Sequence, residues 1–205
     1  MASDMSNDLA TLAAPVRAFV ALRMSPATTD AIAALIERVR PLAGGARFVP
    51  RANLHLTLRF LGDGADPARL ARLGDQLGEI AARQSPFVIE ARGAGAFPNL
   101  ARPKVLWIGV YCDELSGLAS CVESAAVSAG FAAERRPYAS HLTIGRLRDL
   151  KGWDAARKVF VELAETSFGA TVVEAIMLYR SVLGPQAATY QELARYPFGG
   201  ELSTP

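Results

Sequence analysis

Two short stretches of the chain share one pattern, in which histidine is followed by an aliphatic residue, threonine and a second aliphatic residue. The first copy, HLTL, covers residues 55–58, and the second, HLTI, covers residues 141–144. The chain has two histidines, and each begins one of the copies. A duplicated pattern is far more specific than a single short motif. The two copies are therefore the strongest candidates for chemistry.

The spacing within each copy determines where the side chains point in a strand. Because successive side chains alternate between the two faces of a strand, His55 and Thr57 project together while their aliphatic neighbours project into the core. The same holds for His141 and Thr143. If the two halves of the chain pack about a pseudo-twofold axis, the motif strands can lie as neighbours and the four polar side chains can converge on one cleft.

Two imidazoles and two hydroxyls suit in-line attack on a phosphodiester. One histidine can remove a proton from water while the other gives a proton to the departing oxygen, since imidazole can do either near neutral pH. The hydroxyls of Thr57 and Thr143 can donate hydrogen bonds to the non-bridging phosphate oxygens, where charge grows in the transition state. The pattern favours a phosphodiesterase with His55 and His141 as an acid and base pair.

Metal binding and nucleophilic catalysis fit the sequence less well. Zinc sites use about three or four protein ligands, whereas these two histidines have no cluster of carboxylates or cysteines near them in sequence. Ser140 adjoins His141, but neighbouring strand residues face opposite sides, and nothing in the sequence supports Cys121 as a nucleophile. We predict no metal and no other cofactor.

Two further features leave alternatives open. Residues 93–97, GAGAF, hint at a phosphate loop but lack the Lys-Ser/Thr pair of a P-loop, so a tight turn is favoured. Six arginines flank the motifs and can be either solvated surface residues or contacts to an anionic substrate. They are Arg51, Arg59, Arg135, Arg136, Arg146 and Arg148.

Alternating strands and helices surround the motifs. Periodicity and turn residues predict strands over residues 17–24, 46–50, 53–62, 87–97, 104–110, 141–147, 171–181 and 188–197. They predict helices over residues 29–39, 66–83, 113–130 and 152–164, the first with Thr28 or Thr29 as its N-cap. This order lacks the glycine signatures of nucleotide-binding βαβ units, and it predicts an α+β fold of two similar lobes.

Composition sets the general class of the protein. The chain has 205 residues, a formal net charge of +2 and a pI near 8.7, which fits a mildly basic pocket for an anion. Residues 1–15 lack a basic n-region and a continuous apolar stretch, so we expect a flexible tail rather than a secretory signal. A single bilobal domain is expected over residues 16–200. We expect a cytoplasmic protein without a membrane segment.

Five blocks in order resemble the two-histidine phosphoesterase superfamily, and within it the bacterial RNA 2′,3′-cyclic phosphodiesterases, also called 2′-5′ RNA ligases. The blocks are RAFVAL, FVPRANLHLTLRFLG, GAFPNLARPKVLWIGV, RPYASHLTIGRL and SVLGPQAATYQELARYPF. The resemblance implies two pseudo-symmetric lobes whose antiparallel sheets line a central cleft, with helices outside. It implies a monomer that needs no metal.

The resemblance also implies an activity and residue roles. It implies hydrolysis of the 2′,3′-cyclic phosphate at RNA ends to a 2′-phosphate, with reversible 2′-5′ joining of RNA ends. His55 resembles the general acid toward the 3′ oxygen, and His141 the general base for water. Phe60 and Arg146 match positions that flank the nucleobase, where an aromatic ring and a guanidinium can stack. Ser140 departs from the family, which commonly has proline before the second histidine.

Two other functions remain open from the sequence. The same scaffold can serve as a non-catalytic module that binds RNA ends or nucleotides. The same chemistry can also act on 2′-5′ oligonucleotides or on a small cyclic nucleotide. Intact motif residues favour an enzyme over a binding module.

Overall fold

A computed structural model of the chain describes residues 9–184 and 188–201, and the elements below belong to these residues. The strands are β1 Val16–Arg23, β2 Ala46–Phe48, β3 His55–Ala65, β4 Phe87–Phe97, β5 Val105–Tyr111, β6 His141–Leu147, β7 Ser167–Val173, β8 Ala175–Leu183 and β9 Ala188–Pro197. The helices are α1 Pro26–Val39, α2 Pro67–Arg83, α3 Glu114–Ser128 and α4 Trp153–Glu162. Short 3₁₀ turns cover Arg40–Leu42 and Arg51–Asn53. None of these helices is long and apolar enough to cross a membrane.

The starts of the first two helices follow from their capping residues. Asp66 accepts hydrogen bonds from the first backbone N–H groups of α2, as its position before Pro67 predicts. The N-cap of α1 is Ser25, whose side chain accepts a hydrogen bond from the backbone of Thr28. The prediction of Thr28 or Thr29 as the cap was therefore wrong. Pro at the first helical position extends the helix back by one turn.

The strand predicted over residues 171–181 was also wrong in its extent. The chain instead forms β7 and β8, which are separated at Glu174 and belong to different sheets. The break is not visible in the sequence, because Glu174 is the single charged residue of an otherwise apolar stretch and buried side chains lie on both sides of it. The chain changes sheet at Glu174, where the Glu174 carbonyl accepts a hydrogen bond from the Phe198 backbone.

The strands form two antiparallel sheets with matching order. One has four strands in the order β3-β1-β8-β9, and the other has five in the order β2-β6-β5-β4-β7. Apart from β2, each strand has a counterpart in the other sheet, so that β3 corresponds to β6 and β1 to β5. The predicted α+β architecture of two pseudo-symmetric lobes is confirmed.

The two motif strands lie in different sheets. We expected β3 and β6 to be neighbouring strands, but β3 is an edge strand of the first sheet and β6 pairs with β2 and β5 in the second. The two strands are nevertheless in contact where the sheets meet. Helix α3, which connects β5 to β6, also packs against β3 and α2. The lobes therefore meet along the strands that carry the histidines.

The core extends beyond the first strand toward the N-terminus. Leu9 is 2% exposed and belongs to the main hydrophobic cluster. Residues 1–8 of the expected N-terminal tail lie outside the described residues. The described part of that segment therefore includes a side chain that is packed into the domain.

Candidate active site

The two motifs have the same pattern of burial. In each strand, histidine and threonine are partly buried while the aliphatic residues that follow them are buried. Leu56 and Leu142, which separate histidine from threonine, are fully buried. This is the alternation that a half-buried strand imposes, and it directs each imidazole to the same face as its threonine.

A β-bulge follows each histidine and threonine pair. Between Thr57 and Arg59 the strand advances by two residues while its partner β1 advances by one. Between Thr143 and Gly145 the same shift occurs against β5. A bulge bends the strand and places two successive residues on one face. The pseudo-symmetry of the two lobes therefore extends to this irregularity beside the motifs.

Both imidazoles are held through the same atom. Nδ1 of His55 lies 2.7 Å from the carbonyl oxygen of Asn53, and Nδ1 of His141 lies 2.8 Å from that of Ala139. Because a carbonyl oxygen can only accept, Nδ1 carries the proton and Nε2 is the free acceptor of each neutral ring. Nε2 of His55 is 3.0 Å from Oγ1 of Thr57, which can donate to it. Each histidine is thus oriented for proton transfer at Nε2.

Aromatic rings fix the orientation of His55 further. Phe19 stacks on the imidazole with 4.7 Å between ring centroids, and Tyr190 meets it edge-on at 5.1 Å. His141 is supported differently, since Phe97 meets it edge-on at 5.0 Å and Trp107 lies against Phe97. These aromatic residues were not singled out by the sequence. Their signal is weak, because an aromatic residue in a strand more often belongs to an ordinary core.

Burial makes the protonated form of both histidines less favourable. It lowers the pKa of His55, and the hydrogen bond to Asn53 acts in the opposite direction. It also lowers the pKa of His141, where the hydrogen bond to Ala139 raises it and the charge of Arg146 lowers it further. An anion bound beside the rings would favour their protonated forms.

Each histidine borders a pocket of its own. The pocket beside His55 has a volume of about 470 Å³, and Arg23, Arg51 and Glu192 are among its lining residues. The pocket beside His141 has a volume of about 480 Å³, and its walls include Trp107. The first is rich in charged groups and the second in aromatic ones.

Electrostatic contact joins the two lobes beside the histidines. Burial raises the pKa of Tyr190 on β9, while the charges of Arg17 and Arg146 act in the opposite direction. Arg146 belongs to β6 of the other sheet and also acts on His141. Since Tyr190 touches His55, Arg146 lies within electrostatic range of the surroundings of both histidines.

Phe60 and Arg146 occupy equivalent positions after the two bulges. Both are exposed, and the ring of Phe60 is 39% exposed. The guanidinium of Arg17 lies over this ring at 4.5 Å from its centroid and pairs with Asp63. One face of Phe60 is therefore covered by a cation.

Several of the flanking arginines have partners within the protein. Arg59 is buried and pairs with Glu123, and Arg51 pairs with Asp30. Arg136 pairs with Glu134, while Arg135 and Arg148 are exposed. Burial removes Arg59 from any contact with substrate. The structure thus distinguishes Arg59 from the other flanking arginines, which the sequence alone could not do.

The glycine-rich segment is part of a strand. Residues 93–97 belong to strand β4, as the prediction of a strand over residues 87–97 requires, and Gly93 forms a bulge with φ of 73°. The interpretation of GAGAF as a tight turn was therefore wrong. A side chain at Gly93 would collide with the backbone of Ala164.

Within residues 9–184 and 188–201 no group of three His, Cys, Asp or Glu side chains could hold a metal ion.

Fold and motifs together define a two-histidine phosphoesterase. The family model described as LigT-like phosphoesterase matches residues 22–107. The chain is 32% identical to the RNA 2′,3′-cyclic phosphodiesterase of Methanothermobacter thermautotrophicus over 87% of its length and 96% of that protein. It is 33% identical to the protein of the same name from Archaeoglobus fulgidus, over 87% of this chain and 98% of the relative.

Solved structures give the same result. Escherichia coli LigT without ligand superposes with a TM-score of 0.73 at 25% identity, covering 94% of this chain and 100% of LigT. The Thermus thermophilus protein TT0787 superposes with a TM-score of 0.73 at 26% identity, covering 90% of this chain and 98% of that one. The chain belongs to the LigT-like phosphoesterase family.

Proposed function

We propose that the protein hydrolyses the 2′,3′-cyclic phosphate at the ends of RNA to a 2′-phosphate, without a metal ion. The observation that carries this proposal is the pair of identically held histidines, each fixed through Nδ1 with Nε2 left for proton transfer. The names of the relatives support the substrate. A monomer in the cytoplasm is part of the proposal.

In this reaction water attacks phosphorus in line with the bond from phosphorus to the 3′ oxygen. His141, neutral at Nε2, takes a proton from the water as the new bond forms. His55, protonated at Nε2, gives its proton to the 3′ oxygen as that bond breaks. The products are a 2′-phosphate and a free 3′-hydroxyl. Solvent then returns the two histidines to their starting states.

The threonines bind the phosphate in this proposal. In the neutral site, the Thr57 hydroxyl faces Nε2 of His55. When His55 is protonated, Nε2 becomes a donor, so Thr57 can turn its hydrogen toward a phosphate oxygen. Thr143 occupies the matching position beside His141 and donates to another non-bridging oxygen. Two donors at the growing negative charge stabilise the transition state.

The base of the terminal nucleotide stacks near Phe60 and Arg146. Arg17 already covers one face of the Phe60 ring, so the base takes the other face or lies on a guanidinium plane. Both side chains are exposed, as a site open to a polymer end requires.

The experiment is an assay of oligonucleotides that end in a 2′,3′-cyclic phosphate, carried out with an excess of EDTA. We expect full hydrolysis with EDTA and a product that carries its phosphate on the 2′ oxygen. Binding of the oligonucleotide without turnover would instead identify a non-catalytic module. A product with a 3′-phosphate would show that the 2′ oxygen, and not the 3′ oxygen, is the leaving group.

A further inference from the structure

Arg59 is a buried cation directly beside the first motif. Its side chain is 8% exposed. Because the bulge after Thr57 places Leu58 and Arg59 in succession on the buried side, the guanidinium points into the protein rather than into the cleft. The equivalent position in the second motif is Gly145. The two motif strands therefore differ at this position, where the first has a buried cation and the second has glycine.

Two partners of Arg59 belong to the connection between β5 and β6 of the other sheet. Its guanidinium pairs with Glu123 on α3 and donates to the carbonyl oxygen of Ala132, which follows that helix. It also donates to the carbonyl oxygen of Phe60 on its own strand. The second carboxylate oxygen of Glu123 accepts a hydrogen bond from the backbone N–H of Glu134 at 2.8 Å. A continuous set of polar contacts thus runs from β3 to the segment that leads into β6.

The segment between α3 and β6 leads directly into the second histidine. Residues 129–140 connect α3 to β6, and His141 is the first residue of β6. Helix α3 packs against β3 although it connects two strands of the other sheet, so Arg59 and Glu123 link the two halves of the chain. The contacts of Arg59 therefore hold the start of this segment against the strand of His55.

We propose that Arg59 and Glu123 are positioning residues that set the separation of His55 and His141. A buried ion pair adds little stability over a well-packed apolar pair, but loss of one partner leaves the other charge buried and uncompensated. The fork of Arg59 joins a carboxylate and two carbonyl oxygens, and this fixes the orientation of α3 on β3. The inference rests on the proposed two-histidine mechanism.

A positioning role predicts an effect on the chemical step rather than on binding. Because a misplacement of about 1 Å can cost on the order of 10²-fold in rate, a small shift of α3 should lower kcat strongly. Each lobe keeps its own threonine and base-contacting side chain, so KM should change much less. The two parameters therefore separate positioning from a loss of substrate contacts.

The test compares Arg59→Met, Arg59→Lys and Glu123→Gln on one oligonucleotide ending in a 2′,3′-cyclic phosphate. Arg38→Met is the matched control, since Arg38 forms an exposed ion pair with Glu162 away from the motifs. All assays are run well below the melting temperature of each variant, after circular dichroism has confirmed the native fold. Glu123→Gln keeps the size of the side chain and provides a milder change if Arg59→Met does not fold.

We expect kcat to fall by about 10- to 100-fold for Arg59→Met, with KM within about threefold of wild type. Arg59→Lys should recover part of the loss, because it restores the charge facing Glu123 but not the fork. Arg38→Met should keep kcat within about twofold. A folded Arg59→Met or Glu123→Gln variant with wild-type kcat would overturn the inference, as would a loss that lies entirely in KM.

The same assay separates this inference from the proposed function. If wild-type protein does not hydrolyse the oligonucleotide, the proposed function fails first. If wild-type protein is active and His55→Ala is not, while the Arg59 and Glu123 variants are fully active, the function stands and only the positioning role is refuted.

Discussion

The imidazole of His55 meets the ring of Tyr190 edge-on, with 5.1 Å between the centroids and 85° between the ring planes. Tyr190 lies within electrostatic range of Arg146, which belongs to the sheet of His141 and acts on that histidine. The two histidines are far apart in sequence and lie in different sheets. Tyr190 and Arg146 nevertheless connect their surroundings, and this supports their action on one phosphate.

Removal of either histidine should abolish most of the activity. General acid or base catalysis contributes about 10²- to 10⁴-fold, so His55→Ala and His141→Ala should each lower kcat by that amount. Because the two residues act in one step, the double variant should be little worse than either single variant. Steady-state kinetics on a cyclic-phosphate oligonucleotide checks this. Near wild-type kcat in both single variants would refute acid and base catalysis by this pair.

Replacement of the threonines should separate the hydroxyl from the shape of the side chain. Thr57→Val and Thr143→Val remove a donor to the transition state, and we expect losses on the order of 10²-fold in kcat. Thr57→Ser and Thr143→Ser keep the donor and should retain most of the activity. If the valine variants are as active as the serine variants, the threonines do not bind the phosphate.

The pH dependence of kcat/KM should be bell-shaped, with both limbs displaced to the acid side of the ordinary histidine pKa. Burial lowers the pKa of both His55 and His141. The base His141 therefore stays neutral down to a lower pH than usual, and the acid His55 also loses its proton at a lower pH than usual. Activity falls at low pH when His141 is protonated. It falls at high pH when His55 is deprotonated.

Arg146→Met should move one limb of this profile. The charge of Arg146 lowers the pKa of His141, so its removal should raise that pKa and shift the fall at low pH to a higher pH. The limb of His55 should not move, because burial and the hydrogen bond to Asn53 set the pKa of that residue. Arg148→Met is the control, since Arg148 is exposed and does not contribute to the pKa of His141. A low-pH limb that stays in place would contradict the assignment of His141 as the base.

Phe60→Ala should weaken substrate binding more than chemistry. Stacking of a base on an aromatic ring is worth about 1–3 kcal/mol, so KM should rise by about 5- to 160-fold with little change in kcat. Phe60→Tyr keeps the ring and should bind normally. Val161→Ala is the control for loss of an exposed apolar side chain elsewhere. An unchanged KM in Phe60→Ala would place the base elsewhere.

The sequence could predict most of the elements and the identity of the chemical groups. Strands β4 and β6 match their predicted residues, because turn residues and alternation delimit them on both sides. The paired motifs could be found because the same pattern occurs twice with each histidine. These are local properties, and local spacing is sufficient to predict them.

Relations between distant segments could not be predicted in this way. The break at Glu174 depends on which sheet each strand joins, and the separation of β3 from β6 depends on the order of strands in both sheets. Arg59 resembled the other flanking arginines until its partner Glu123, on the helix that connects β5 to β6, was known. Tyr190 could not be placed beside His55 for the same reason.

The most direct test of the account is a crystal structure of the protein with a bound 2′-nucleotide product, in which the distance from each Nε2 to the phosphate oxygens is measured. We predict that His55 and His141 each place Nε2 within about 2.6–3.2 Å of an oxygen on the same phosphorus, from opposite lobes. A phosphate that contacts one histidine while the other remains out of hydrogen-bonding reach would contradict catalysis by the pair.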